Sequence, residues 1–266
     1  MERARIDGID LAYELRGGGA PVVMIHGAQG DKTMFASLAS AFADNYRVLT
    51  FDQRGSGLSD KPDVPYSIAM LADDTAGLMD HLGISPAHVV GVSMGGMIAQ
   101  ELALRHPQKI RSLVLGCTTA GGPRAVRLGG GALASAYSTQ SMTAEERGKA
   151  LAEAGFSKSY LAQHPEIITS MIEARRQRPI DSRAFARRMK AAAEHDAYDR
   201  LPQIHCPTLV IAGRDDALIA WENSRIIAER IKGAQLVVLE PAGHCFWLEQ
   251  PEQTLDAIAS FLASVP

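Results

Sequence analysis

Cysteine is scarce in this sequence. Its 266 residues include only three, Cys117, Cys206 and Cys245, with no Cys-x-x-Cys pair and no spacing of Cys and His that suits a zinc site. An odd number of widely separated cysteines argues against a disulfide framework, so we expect a reducing compartment. We also expect no metal.

The sequence also lacks a large excess of charge of one sign, and it lacks long apolar runs. The 27 Lys and Arg residues stand against 30 Asp and Glu residues, a formal net charge of -3, which leaves no basic field for nucleic acid or an anionic membrane. No apolar run approaches the ~20 residues of a membrane span, and no signal-peptide segment follows Met1. We expect a soluble, cytoplasmic protein with a small-molecule partner; a homo-oligomer stays open.

What is present is an alternation of strands and helices. Apolar runs rich in β-branched residues, with helical stretches between them, predict strands at 10–16, 21–25, 46–51, 87–92, 111–116, 207–212 and 235–239. Several of these runs are apolar throughout, as in strands that are buried on both faces. The sequence therefore predicts an α/β protein with a mostly parallel central sheet flanked by helices.

The strand pattern stops between residues 120 and 206, where Ala, Arg, Glu and Gln recur at helical spacing. We expect a helical cap at 121–206, inserted in a core formed by residues 1–120 and 207–266. The run Gly129, Gly130 and Gly131 is interpreted as a connector, because no P-loop lysine follows it. The chain also has no GxGxxG motif, and we expect no cofactor.

A candidate nucleophile lies in Gly91-Val92-Ser93-Met94-Gly95, where a buried strand meets a helix. In a GxSxG nucleophile elbow, a strained strand-to-helix turn presents the serine, and the flanking glycines avoid clashes with neighbouring backbone. Ser93 is therefore predicted to be a catalytic nucleophile.

A serine hydroxyl needs a general base, and the base needs a group that orients it. His244 follows the last predicted strand in a Pro-Ala-Gly-His turn, at the sheet edge where α/β proteins bind ligands. The orienting acid should come from the loop after strand 207–212, which contains Asp215 and Asp216. Only one of these two aspartates can face His244.

Two backbone N–H groups are expected to form the oxyanion hole. One belongs to Met94, directly after Ser93 at a helix N-terminus, and the other to Ala28 in the loop His26–Gly30. His26, which precedes a glycine turn, is interpreted as a brace for this loop rather than a second base.

Five segments together resemble the α/β-hydrolase superfamily over essentially the whole chain. They are His26-Gly27, the stretch Phe51–Asp60 (FDQRGSGLSD), the GxSxG elbow, Gly213–Asp216 (GRDD), and Gly243-His244 with Glu249-Gln-Pro251. The resemblance implies the α/β-hydrolase fold and makes Asp216, the last residue of Gly-x-x-Asp, the triad acid. Ala220 stands where the family often has proline, so Asp215 stays open.

Within the superfamily, the chain is similar to 3-oxoadipate enol-lactonases and small carboxylesterases. Ser93 argues against haloalkane dehalogenases and epoxide hydrolases, which carry aspartate at the elbow. We expect a serine hydrolase that cleaves a carboxylic ester or lactone through an acyl-enzyme. The alternatives are C–C bond hydrolysis or perhydrolysis with the same triad, and a receptor of this fold that turns over once or not at all.

Three further features each have two interpretations. Phe246 and Trp247 either line the acyl pocket or pack the core. Cys245, next to the base, could be a second nucleophile, but it lacks an elbow and is interpreted as a small buried thiol. From Arg175 to Lys190, seven basic residues stand against Asp181 alone. This run is either a solvated helix face or a source of arginines that bind a substrate carboxylate.

Overall fold

An eight-stranded sheet runs through the molecule in the computed structural model, which describes residues 2–128 and 143–265. The strand order is β1-β2-β4-β3-β5-β6-β7-β8. β1 and β2 run antiparallel to their neighbours, and the pairs from β4 across to β8 are parallel. The strands are β1 (Glu2–Ile6), β2 (Ile9–Arg16), β3 (Ala20–Ile25), β4 (Tyr46–Phe51), β5 (Ala87–Val92), β6 (Ile110–Gly116), β7 (Thr208–Gly213) and β8 (Gln235–Leu239).

Ten α-helices accompany the sheet in the described ranges. They are α1 (Ala36–Phe42), α2 (Ile68–Leu82), α3 (Met94–Arg105), α4 (Ala144–Gly155), α5 (Lys158–Gln163), α6 (Glu166–Gln177), α7 (Ser182–Ala193), α8 (Glu222–Arg230), α9 (Phe246–Glu249) and α10 (Pro251–Ser264). This architecture confirms the predicted fold class, a mostly parallel sheet flanked by helices.

Alternate residues of the central strands pack against opposite faces of the sheet, because successive side chains of a strand point to opposite sides. In β3, Val23 and Ile25 belong to the core cluster that contains α2 and α3, whereas Val22 and Met24 belong to the cluster that contains α1 and α10. Both faces of the central strands are therefore buried, and their carboxyl ends present loops for a site.

Helices α4 to α7 lie between β6 and β7, in the segment predicted as a cap at 121–206, and α4 packs against α6. The division into this cap and a core of residues 1–120 and 207–266 stays a prediction. Gly129, Gly130 and Gly131 lie outside the described residues. No helix in the described ranges is long and apolar enough to cross a membrane.

Candidate active site

Ser93 occupies the turn between β5 and α3 with φ 59° and ψ −124°, a backbone conformation that non-glycine residues rarely adopt. The flanking glycines are required by space: a Cβ atom on Gly91 would overlap Gly95 O, and one on Gly95 would overlap Ile25 O. The Ser93 N–H donates to Gly116 O (2.9 Å), and Thr118 Oγ1 donates to Ser93 O (2.7 Å). The strained turn is thus held on both sides by the end of β6.

His244 and Asp216 form a buried pair at the ends of neighbouring strands. His244 Nδ1 lies 2.7 Å from Asp216 Oδ2. The other carboxylate oxygen, Asp216 Oδ1, accepts the N–H groups of Leu218 (2.8 Å) and Ile219 (2.9 Å). A donated Nδ1–H leaves Nε2 free to accept a proton. Asp215 is exposed, so the geometry favours Asp216 as the partner of His244.

Cys117 connects the surroundings of Ser93 and His244. Its Sγ lies 3.8 Å from His244 Nε2, and its chain neighbours Gly116 and Thr118 hold the backbone of Ser93. No hydrogen bond joins Ser93 Oγ to His244 Nε2 in the described chain. Catalytic hydrogen bonds are often long before substrate binds, so this gap is compatible with a triad.

One group of potential metal ligands occurs in the described ranges, and it overlaps this site. Cys117, Asp216 and His244 bring one ligand atom each within 4.8 Å of one another. Burial raises the pKa of the Cys117 thiol well above its usual value, which disfavours the thiolate that metal ions bind. Asp216 and His244 already bind each other, so the group suits proton transfer better than metal binding.

The loop His26–Gly30 approaches the nucleophile from the end of β3. A Cβ atom on Gly27 would lie 3.2 Å from Ser93 Cβ, so glycine permits this approach. The N–H groups of Ala28 and Met94 donate to no residue that the structure describes. Both are therefore available to an oxyanion, although their role stays a prediction.

Three donors fix the peptide group that joins Gly27 to Ala28. Gly27 O is 2.8 Å from His26 Nδ1, 3.2 Å from Gly30 N and 3.3 Å from Arg188 Nη2. The N–H of Gln53 donates to His26 Nε2 (3.3 Å), which fits a neutral ring that donates from Nδ1. Burial, and next Arg188, lower the pKa of His26 to about 3, so His26 acts as a brace, as interpreted above.

Glu249 ties the loop of the base to the cap. Its Oε1 accepts the N–H groups of Gly243 (2.8 Å) and Ser157 (3.0 Å), and Ser157 Oγ donates to Oε2 (2.6 Å). The sequence motif contained Glu249, but nothing in the sequence indicated that it would reach a residue 92 positions away. Its contacts hold the residue before His244 in place.

Phe246 and Trp247 pack in the core, where they line a small apolar cavity together with Val92 and Gly116. Both are buried in the cluster that contains α1 and α10, and the Trp247 ring lies 5.9 Å from Phe35 and 5.5 Å from Phe246. These contacts fit the interpretation of the two rings as packing residues, and their role as substrate-pocket residues stays a prediction. Cys245 Sγ is buried as well, which raises the pKa of its thiol.

A cavity of about 360 Å³ lies between the cap and the loop His26–Gly30. Its walls are residues 28–33, loop 55–58 with Asp52 and Lys61, and the cap residues Arg175, 177–181 and Arg188. Neither Ser93 nor His244 lines it. Ala28 is the wall residue next to the nucleophile along the loop, since a Cβ atom on its neighbour Gly27 would lie 3.2 Å from Ser93 Cβ.

Residues 20–251 match the family model described as the alpha/beta hydrolase fold, and the chain belongs to this family. It is 33% identical over 264 residues to a 2-hydroxymuconate semialdehyde hydrolase of Pseudomonas sp. (strain CF600), covering 93% of this chain and 88% of that protein.

Two solved structures are similar to this protein over nearly the full length of both chains compared. An enol-lactonase from Burkholderia xenovorans LB400 has a TM-score of 0.87 and 29% identity, covering 99% of this chain and all of that chain (100%). A thermophilic esterase from Thermogutta terrifontis has a TM-score of 0.83 and 32% identity, covering 100% of this chain and 99% of that one. These relatives are hydrolases, which supports hydrolase chemistry for this chain and confirms the resemblance to enol-lactonases and esterases.

Proposed function

We propose that this protein is a serine hydrolase that cleaves a carboxylic ester or lactone through an acyl-enzyme intermediate. The observation that carries the proposal is the pairing of a strained serine at the strand-to-helix turn with a buried Asp216–His244 hydrogen bond at the same sheet edge. A strained residue persists only where the surrounding structure holds it, and such residues cluster at functional sites.

The proposed reaction begins with proton transfer from Ser93 Oγ to His244 Nε2 as the oxygen attacks the substrate carbonyl. The negative oxygen of the tetrahedral intermediate accepts the N–H groups of Ala28 and Met94, while Asp216 stabilises the imidazolium. His244 then donates the proton to the leaving alkoxide, and the ester bond breaks. Water, deprotonated by His244, attacks the acyl-enzyme and releases the acid and Ser93.

The names of the similar enol-lactonase and esterase support an ester or lactone as the substrate, since both substrates react through the same acyl transfer. The name of the semialdehyde hydrolase supports a second candidate, cleavage of a C–C bond with the same three residues. The reaction products distinguish the two candidate functions. Cleavage of an ester yields an acid and an alcohol, and cleavage of a lactone yields a hydroxy acid.

Turnover of 4-nitrophenyl butyrate and of a simple lactone tests the proposal. We expect many turnovers per chain, and at least a ~10³-fold lower kcat in Ser93→Ala and in His244→Ala, because both side chains act in one proton-transfer unit. Circular dichroism shows that the variants are folded. Near-normal activity in either variant would refute the triad, and one stoichiometric release of nitrophenol would indicate a receptor instead.

A further inference from the structure

We propose that the cavity between the cap and the loop His26–Gly30 is a binding subsite for a carboxylate of the substrate, held by Arg188 and Arg175. The inference rests on the proposed function, since it names the class of ester or lactone that this site hydrolyses. It depends on two guanidinium groups in one cavity wall that have no carboxylate partner among the described residues.

Arg188 projects from α7 and is only 2% exposed. Its Nη2 donates to Gly27 O (3.3 Å) and Gln53 Oε1 (3.1 Å), both uncharged acceptors, and its buried Nε has no acceptor in the described chain. Burial lowers the pKa of Arg188 to about 10, so the group stays charged at neutral pH. Burying a charge without a carboxylate partner destabilises the folded protein, and a bound anion would offset this cost.

Arg175, on α6, is in the same situation at the other side of the cavity. Its Nη2 lies 3.4 Å from Gln29 O, its Nε is buried without an acceptor in the described ranges, and desolvation lowers its pKa to about 10. The positive charges of Arg147 and Arg178 lower the pKa of Arg175 further, while Asp31 acts in the opposite direction.

The acidic residues of the cavity wall already have partners. Asp31 pairs with Arg178 (3.3 Å), Asp52 pairs with Lys32 (3.5 Å), and Asp181 Oδ1 accepts the N–H of Ala184 at the start of α7. Three cations of the described wall have no carboxylate partner: Lys61, which is exposed and donates to the carbonyls of Gly57 and Ser59, and the more buried Arg175 and Arg188. The site is built for a ligand that supplies the missing negative charge.

The position of the subsite indicates where the substrate carboxylate lies. Arg188 contacts the carbonyl of Gly27, and the N–H of the same peptide group, on Ala28, is the proposed oxyanion donor. A carboxylate bound at Arg188 Nε is thus a short acyl chain away from the reacting carbonyl. The substrate class is an ester or lactone with a carboxylate on its acyl part.

The test compares monomethyl with dimethyl esters of succinate and glutarate, which differ in one carboxylate. We expect wild-type kcat/KM to favour the monomethyl esters. Arg188→Met and Arg175→Met should each lower the ratio of kcat/KM for the monomethyl to the dimethyl ester at least ~10-fold, about 1.4 kcal/mol. Arg183→Met is the matched control, because Arg183 is exposed on the same helix as Arg188 and should leave the ratio unchanged.

The ratio of kcat/KM for the monomethyl to the dimethyl ester distinguishes carboxylate binding by these arginines from a purely structural role. A purely structural Arg188 would slow both esters equally, and an unchanged ratio in Arg188→Met and in Arg175→Met would overturn the subsite while the hydrolase assignment stands.

Calorimetry on Ser93→Ala tests the subsite without turnover. Monomethyl glutarate should bind more tightly than dimethyl glutarate, and adding Arg188→Met should abolish the difference. If wild type hydrolyses neither methyl ester, this measurement still decides the subsite, while turnover of 4-nitrophenyl butyrate and of a lactone decides the proposed function. Equal binding of the two esters would overturn it.

Discussion

At the scale of single residues, Ser93 combines the proposed chemistry with an unfavourable backbone conformation. Its φ of 59° lies in the region that glycine adopts without cost and other residues adopt at about 1–3 kcal/mol. Cys117, beside His244, also has a positive φ, of 36°. Two of the three non-glycine residues with positive φ in the described chain therefore lie in the candidate site, as expected where function rather than stability selects the conformation.

Replacing Ser93 by glycine should relieve this strain. We expect Ser93→Gly to be about 1 kcal/mol more stable than Ser93→Ala, because the relief exceeds the entropy that glycine loses on folding. Urea unfolding of both inactive variants measures the difference. A Ser93→Ala protein as stable as Ser93→Gly would show that the turn stores no strain.

The two adjacent aspartates should differ sharply. Asp216→Asn should lower kcat on 4-nitrophenyl butyrate ~10²-fold or more, because the imidazole loses its counter-charge and an amide N–H can face Nδ1. Asp215→Asn serves as the control, and we expect a mild effect because Asp215 is exposed. The reverse ranking would make Asp215 the acid and contradict the 2.7 Å contact of Asp216.

Some residues of the candidate site can be predicted from the sequence and others cannot, and the difference has a physical reason. Ser93 and His244 follow from motifs at strand ends, because the local chain alone determines where those ends point. The choice of Asp216 over Asp215, which the motif left open, depends on which way one loop turns. The burial of Arg188 depends on how a cap helix packs on a loop 161 residues away, which no local pattern encodes.

At the scale of elements, all seven predicted strands occur with ends within one residue, and β1 was missed. Its sequence, Glu2–Ile6, alternates charged with apolar residues, as befits an edge strand with one exposed face. Asp7-Gly8, the two-residue turn that joins it to β2, is a recognised hairpin sequence and could have revealed it. The sequence left open whether Phe246 and Trp247 pack in the core, since adjacency to His244 does not reveal which face of α9 is buried.

The loop after β3 should make stability depend on pH through His26. Its pKa is about 3 in the folded protein and ~6.5 when unfolded, so the unfolded chain binds the proton first as pH falls. The contribution of neutral His26 is complete above pH ~6.5 and is lost progressively toward pH 3.

We expect wild type to lose about 2 kcal/mol more than His26→Asn in its free energy of unfolding between pH 7 and pH 5. Urea unfolding of both proteins at each pH gives this difference. His88 and His195, whose pKa values are also lowered, to about 4, are present in both proteins and cancel. Parallel pH profiles would show that His26 does not resist protonation.

At the scale of the whole molecule, the basic run Arg175–Lys190 is less positive than its composition suggests. Four of its seven cations are paired: Arg176 with Glu145, Arg178 with Asp31, Arg187 with Asp63 and Lys190 with Glu194. All four of these acids lie outside the run, and the protein as a whole is negative. The four paired cations fit the interpretation of the run as a surface, whereas Arg175 and Arg188 at the cavity wall are the residues that the proposed subsite uses.

This distribution decides how a preference for anionic substrates should respond to salt. A positive surface rim would attract anions over long distances, and its effect on kcat/KM would largely disappear as the Debye length falls from about 20 Å to about 4 Å between ~0.02 and ~0.5 M salt. Buried guanidiniums are screened much less. We therefore expect the ratio of kcat/KM for monomethyl to dimethyl glutarate to fall over this range by less than ~3-fold and to stay above one. Steady-state kinetics of wild type and Arg183→Met across the salt series measures it, and a ratio that collapses to one at ~0.5 M would assign the preference to the surface instead of to Arg175 and Arg188.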